Sequence, residues 1–146
     1  MPNRFSFRLE RLLRLRELAE QVRLKELGGA LAEKGRAERA VSQSRRDEAD
    51  SEDGLSVLCG EGPLALSDIK DAWIDLERAR RGTIKAGVDL AQKTQKESAA
   101  REAYAAAGRD RTVLSQLRQR KELEHLREYD RWEQKLLDEA GARRRS

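Results

Sequence analysis

The placement of its two prolines constrains this chain more than any other feature of the sequence. They stand at Pro2 and Pro63, so neither 3–62 nor 64–146 contains the residue that most strongly interrupts a helix. Apolar residues in the first stretch recur at spacings of three and four, the pattern of a helix with one apolar face. The largest of these residues are Leu12, Leu15, Leu18, Val22, Leu24, Leu27 and Leu31. The chain is therefore predicted to consist mainly of two long helices.

The predicted fold class is all-α, a long antiparallel two-helix coiled coil that forms a helical hairpin. We predict the first helix over about 4–51 and the second over about 67–141. Glycines around Pro63 predict a turn or irregular cap over about 52–66. Charged residues make up 40% of the chain and aromatic residues only 4%, which suits a coiled coil better than a layered globular core. The whole chain, 1–146, is expected to be a single coiled-coil domain.

Antiparallel pairing predicts which positions face each other. At about 1.5 Å of rise per residue, position i of the first helix is expected near position 119 − i of the second. Gly28, Gly29 and Gly35 would then lie level with 82–90, in a flexible or closely packed waist. Beyond about residue 118 the second helix would form an overhang without a partner in the chain. The apolar stripe of the second helix is predicted to contain Ile69, Trp73, Leu76, Arg80, Thr83, Gly87, Leu90 and Thr94.

Several functional classes are disfavoured by the residues present. His125 is the only histidine and Cys59 the only cysteine, so we expect no enzyme activity, no metal or other cofactor and no small-molecule substrate. No apolar run approaches the roughly 20 residues of a membrane span, and a cytoplasmic location is expected. Acidic residues interleave with the arginines near both ends, so nucleic-acid binding is not expected. A membrane-surface helix over 4–18 is a second alternative, although leucines at such spacings are more typical of a coiled-coil seam.

Two blocks near the ends of the chain resemble the FliJ family of flagellar export proteins. The block FSFRLERLLRLRELAEQ, Phe5–Gln21, is similar to that family's opening pattern F-x-F/L-R-L-x-x-L-L-x-L-R-x-x. The second block is similar to the family's C-terminal signature. It consists of Leu114, Leu117, Arg118, Arg120 and Lys121, followed by Glu133, Gln134, Lys135, Leu137, Asp138 and Glu139.

The resemblance implies a non-catalytic component of the bacterial flagellar type III protein export apparatus, similar to the central stalk of a rotary ATPase. The implied partners are a FliI-like export ATPase hexamer, the cytoplasmic domain of a FlhA-like export gate protein, and export chaperones. It also implies a cytoplasmic protein that reaches the inner membrane only through these partners.

Charge polarity and the resemblance together suggest where the partners bind. Seven basic and three acidic residues occupy 1–25, and basic residues dominate again over 109–121, whereas 47–53 carries five acids and no base. We therefore expect the end with both termini to bind the ATPase ring. The candidate ring-binding residues are Arg8, Arg11, Leu12, Arg118, Arg120, Lys121 and Trp132.

The candidate gate-binding residues begin the second helix as a row with spacing 4-3-4. They are Ile69, Trp73, Leu76 and Arg80. The same row is also compatible with a core row that packs on the first helix near Arg46, and this interpretation is slightly favoured.

Two other functions stay open from the sequence. The chain could be a structural coiled coil that dimerises through its C-terminal helix and serves as a scaffold. It could also be the equivalent stalk of a non-flagellar type III secretion system.

Overall fold

The computed structural model describes residues 3–60 and 66–146, and both segments are almost entirely helical. Helix α1 comprises Glu10–Gly60 and helix α2 comprises Leu66–Arg145, and the two helices pack against each other. No strand occurs in either described segment. The prediction of an all-α helical hairpin is therefore confirmed.

The ends of α1 differ from the prediction. The irregular cap predicted from residue 52 is wrong as far as Gly60, because 52–60 continue α1, and the rest of the predicted cap up to 65 lies outside the described residues. One glycine in a helix costs only about 1 kcal/mol, which packing can offset. That packing comes from Leu55 and Leu58, which are partly buried.

The N-terminal end of α1 also lies later than predicted. Residues 3–7 are not helical, and the first turn closes where the amide of Glu10 donates to the carbonyl of Phe7, at 3.1 Å. Glu10 stands in the first turn, where a carboxylate is favoured by the helix dipole. Phe5 and Phe7 are thereby left in a non-helical segment before α1.

The chain divides into two compact units. The terminal unit combines the chain up to Arg23 with Ala103–Ser146. The central unit is Leu24–Glu102. The sequence predicted one domain.

The seam of the central unit follows a seven-residue repeat on both helices, as in a left-handed coiled coil. Leu76 is its most buried side chain, with 2% exposure. The repeat on α2 consists of Ile69, Leu76, Thr83, Leu90 and Glu97, and that on α1 of Leu27, Lys34, Val41, Glu48 and Leu55, all buried or half-buried.

The seam of α2 has a second row of residues, which lies three residues after the first row. The predicted stripe placed this second row four residues after the first. Trp73, Gly87 and Thr94, which the prediction placed in the seam, are exposed. The half-buried residues are instead the alanines at positions 72, 79, 86 and 100. Small side chains let two helices approach closely, and a search for large apolar residues overlooks them.

Polar contacts interrupt the seam of the central unit. The hydroxyl of Thr83 lies 3.2 Å from the backbone oxygen of Ser44. The ammonium of Lys93 donates to Glu33 at 3.2 Å, and the guanidinium of Arg80 lies 3.8 Å from Glu48. Ion pairs thus take seam positions that apolar residues fill in a more stable coiled coil.

The terminal unit continues the repeat with mostly polar residues. On α2 the repeat is Tyr104, Arg111, Arg118, His125 and Trp132, all half-buried. On α1, Leu13 is 5% exposed and Glu20 is half-buried. Arg118 donates to Glu10 at 3.0 Å, and Arg111 pairs with Glu20. The helices of this unit are therefore joined largely through ion pairs.

The pairing register differs from the predicted one within both units. The prediction placed position 109 opposite Glu10 and position 86 opposite Glu33, whereas their partners are Arg118 and Lys93. The observed partners lie about two helical turns further along α2. The shift arises because α1 extends to Gly60 instead of ending near residue 51.

The predicted waist is not closely packed. Apart from the adjacent backbone of its own helix, a Cβ atom added at Gly28, Gly29, Gly82 or Gly87 would meet no heavy atom within 4 Å, and one at Gly35 would meet only the guanidinium of Arg39, at 3.9 Å. α1 and α2 continue through these positions as α-helix. In the observed register, residues 28 and 29 also lie far from the level of residues 82–87. The glycines therefore weaken each helix locally without serving a close contact.

The predicted overhang begins later than about residue 118, because Phe5 contacts His125 and half-buried residues continue as far as Trp132. Every residue from 133 to 146 is exposed. Arg143, Arg144 and Arg145 occupy the last turn, where cations interact favourably with the negative end of the helix dipole.

We expect the stability of the folded chain to decrease when the seam carboxylates are protonated. The hydrogen bond from Lys93 lowers the pKa of Glu33 below its ordinary 4.5, and the hydrogen bond from Arg101 lowers that of Glu97 although burial opposes this. A folded-state pKa below the unfolded one stabilises the fold above the unfolded pKa, and this contribution is lost as the pH falls through the folded pKa. Urea unfolding between pH 6 and pH 3 should show the decrease.

The variant Glu33→Gln/Glu97→Gln should flatten that dependence on pH. As a control for the loss of two charges, Glu52→Gln/Glu102→Gln removes two exposed acids. Equal slopes in the two variants would contradict the assignment of the acid sensitivity to the seam.

Candidate docking surfaces

The candidate ring-binding residues all lie in the terminal unit, but they differ in availability. Arg118 is half-buried and holds Glu10, and Lys121 lies 3.2 Å from Glu124. Arg8, Arg11 and Arg120 are exposed, and no carboxylate of the described chain forms an ion pair with them. The exposed arginines can therefore reach a partner without breaking a contact within the chain.

The non-helical N-terminal segment lies beside α2 and forms an open groove. The rings of Phe5 and His125 are 5.6 Å apart, and the guanidinium of Arg118 lies 5.9 Å from the centre of the Phe5 ring. The groove has a volume of about 440 Å³, and Phe7 and Leu117 supply further apolar surface. It can accept one large apolar side chain of a partner protein.

A second apolar surface lies on the C-terminal part of α2. The rings of Tyr129 and Trp132 contact each other in a tilted arrangement, with their centres 5.7 Å apart. Leu126, Leu136 and Leu137 are 52%, 45% and 63% exposed. Residues at spacings of three and four share one side of a helix, so these side chains form one broad apolar face.

The candidate gate-binding row is divided between core and surface. Leu76 is fully buried, so its side chain belongs to the core, and Ile69 is half-buried. Arg80 lies over the ring of Trp73, at 5.9 Å, and also within 3.8 Å of Glu77. Trp73, at 51% exposure, is the member of the row that presents a large apolar surface.

Sequence analysis missed the exposed neighbour of Trp73. Ile74 is 45% exposed, and together with Trp73, Arg78 and Arg81 it lines a shallow open depression. Ile74 precedes Arg81 by seven residues, a spacing that places both on one face of a helix. This spacing can be recognised in the sequence, but the prediction included only the row from Ile69 to Arg80 and so left out Ile74.

The leucines of α1 near its start do not form the seam that their spacing predicted. Leu15, Leu18 and Val22 are 62%, 57% and 55% exposed, and Leu12 is 37% exposed. The buried leucine of this segment is Leu13. The seven-residue spacing from Leu13 to Glu20 and Leu27 marks the true seam, but Glu20 hides it from a search for apolar residues.

Two kinds of feature are absent from the described residues. These residues contain no group of three or more histidine, cysteine, aspartate or glutamate side chains placed to hold a metal ion. No helix in 3–60 or 66–146 combines the length and the apolar character needed to cross a membrane.

Comparison with known proteins identified no relative. No family model, curated protein or solved structure matches this chain.

Proposed function

We propose that this chain is a non-catalytic stalk component of the bacterial flagellar type III export apparatus. It binds the hexameric export ATPase through the terminal unit and the cytoplasmic domain of the export gate protein through the central unit. It also contacts export chaperones, and it works at the inner membrane. The proposal rests on the resemblance of two sequence blocks to the FliJ family, and the helical hairpin suits such a role.

One observation carries the proposal furthest. The two blocks that resemble FliJ, 5–21 and 114–139, are separated by most of the sequence, yet both belong to the terminal unit. They contact each other through the Glu10–Arg118 ion pair and through the guanidinium of Arg118, which lies 5.9 Å from the centre of the Phe5 ring. A family signature in two parts is expected to form one surface when it serves one partner.

The ring contact is proposed on the part of α2 that α1 does not cover. Arg120 is exposed, and Trp132 and Tyr129 present a tilted aromatic pair beside exposed leucines. Aromatic and arginine side chains contribute most of the free energy of many protein interfaces. In the central unit, Trp73 and Ile74 are the corresponding candidates for the gate.

Binding to the export ATPase tests the proposal. The variant Arg120→Glu/Trp132→Ala should lose at least about tenfold in affinity for the ATPase hexamer, because both an exposed cation and an aromatic anchor are removed. Arg120 is preferable to Arg118 or Lys121, whose replacement would also break ion pairs within the chain.

A matched control is Arg81→Glu, which reverses an exposed arginine of the central unit. It should bind the ATPase as the wild type does. If the double variant keeps its circular dichroism spectrum and still binds the hexamer like the wild type, the ring surface is wrongly placed. If the wild-type chain binds no export ATPase, the proposed function is wrong.

A scaffold that dimerises is the second candidate, favoured by the uncovered apolar face of Leu126, Leu136 and Leu137. Sedimentation distinguishes the two. A monomer supports the stalk, whereas a tight dimer that Leu126→Ser/Leu136→Ser/Leu137→Ser converts to a monomer supports the scaffold. Preference for a non-flagellar export ATPase over the flagellar one would instead assign the chain to a non-flagellar secretion system.

A further inference from the structure

The start of α1 carries an exposed apolar surface that the fold does not use. We call Leu12, Leu15, Leu18 and Val22 the outer patch. Their exposures range from 37% to 62%, and they lie in the terminal unit. Four large apolar side chains on one side of an arginine-rich helix need an explanation, because the seam of the same helix contains acidic residues.

The acids of this segment point away from the outer patch. The chain up to Arg23 contains three acids, Glu10, Glu17 and Glu20. Glu10 and Glu20 turn into the seam, where they pair with arginines of α2. Glu17 follows Leu15 by two residues, which places it about 200° around the helix from that leucine.

Arginines border the outer patch instead. Arg11 precedes Leu15 by four residues, so it continues the same face towards the N-terminus, and Arg8 lies exposed in the turn just before α1. Arg14 precedes Leu18 by four residues and borders one side. None of these three arginines has an ion-pair partner among the described residues. The outer patch is therefore bordered by cations towards the N-terminus and along one side, and Glu26 follows it one turn after Val22.

We propose that the outer patch docks on the headgroup region of an anionic phospholipid membrane. Leucines that enter the interface and arginines whose guanidinium groups lie at the level of the phosphates are the two components of an interfacial helix. The attraction depends on the negative potential of the lipid surface.

A membrane surface fits the patch better than a partner helix does. The apolar row ends after three turns, roughly 15 Å, since Arg8 and Arg11 occupy the preceding turn. Two helices that pair in isolation need a longer continuous stripe. A planar anionic surface can instead place phosphates beside the arginines that border the leucines.

This inference is independent of the export role. It assigns Arg8, Arg11 and Leu12 to a lipid surface instead of to the ATPase ring. It also makes membrane contact direct, as in the membrane-surface alternative for 4–18, whereas the resemblance to FliJ implies contact only through partners.

Vesicle sedimentation with the full chain tests the inference. Phosphatidylcholine vesicles that contain about 30% phosphatidylglycerol should bind the chain at least about tenfold more tightly than pure phosphatidylcholine vesicles at low salt. Raising the salt concentration should weaken this binding, since the charges are exposed. Leu15→Ser/Leu18→Ser and Arg8→Gln/Arg11→Gln/Arg14→Gln should each reduce it by about tenfold or more.

Two controls use other exposed groups of the terminal unit. Val113→Ser/Leu123→Ser removes apolar side chains of similar exposure from α2, and Arg143→Gln/Arg144→Gln/Arg145→Gln removes the terminal cations. Both variants should bind the anionic vesicles as the wild type does. Circular dichroism verifies that each variant is folded.

Three results would overturn the inference. The first is equal binding to vesicles with and without phosphatidylglycerol. The second is binding that survives Leu15→Ser/Leu18→Ser but is lost with the terminal arginines. The third is no binding to either kind of vesicle. Hydrogen-exchange protection of 12–22 that appears only when the export ATPase is added would then identify the patch as a protein-docking surface.

Discussion

Leu76→Ala should lower the free energy of unfolding by about 3 kcal/mol, the largest effect expected of any single substitution in this chain. Leu76 is the most buried large side chain, with 2% exposure, and it stands at a repeat position of the seam. Its neighbours in the α2 seam are the alanines at positions 72 and 79, which cannot fill the cavity that the substitution leaves. Urea unfolding followed by far-UV circular dichroism measures the loss.

The matched control is Ile84→Ala, since Ile84 is 68% exposed on the same helix. Its removal should change the free energy of unfolding by no more than about 0.5 kcal/mol. A loss at Leu76 no greater than that at Ile84 would contradict the burial of Leu76. Trp73→Ala removes an exposed side chain of the same row, so it is a better test of gate binding than any change at Leu76.

Replacing four glycines together should stabilise the chain by about 2–4 kcal/mol, the second large effect. Gly28, Gly29, Gly82 and Gly87 lie inside helices, and apart from the adjacent backbone of its own helix a Cβ atom at each would meet no heavy atom within 4 Å. Alanine therefore adds helix propensity without a clash and reduces the conformational freedom of the unfolded chain. The measurement is the urea midpoint of the Gly28→Ala/Gly29→Ala/Gly82→Ala/Gly87→Ala variant.

Gly141→Ala is the control for this variant. Gly141 lies close to the end of α2, where helices fray and propensity matters less. It should gain no more than about 0.5 kcal/mol. If the quadruple variant is no more stable than this control, the glycines have a packing role that the open space around them does not show.

The seam shows how far apolar spacing can be interpreted without a structure. On α2, Ile69, Leu76 and Leu90 were correctly placed in the stripe, because each is a large apolar residue in a seven-residue repeat. On α1, the spacing predicts Leu15, Leu18 and Val22 in the seam, although each is more than half exposed. A helix with apolar residues on two sides does not reveal which side packs.

For the candidate docking residues, too, the sequence predicts some properties and not others. That the basic ends of the chain come together could be predicted, since antiparallel helices joined by a short turn bring their outer ends together. Which of these arginines are exposed to a partner could not be predicted. Arg118 and Arg120 look alike in the sequence, but one is held by Glu10 and the other is exposed, because residues two positions apart point to different sides of a helix.

The residues alone specify two long helices and their antiparallel hairpin, since both properties depend on local features: proline-free stretches, helical spacing and a region of glycines near Pro63. The register, the seam and the outer patch depend on contacts between residues far apart in the chain. Leu55 and Leu58 extend α1 and move the pairing by about two turns, and seam ion pairs turn the acids of α1 inward. Such contacts form only when both helices are present, which is why the sequence pattern did not reveal them.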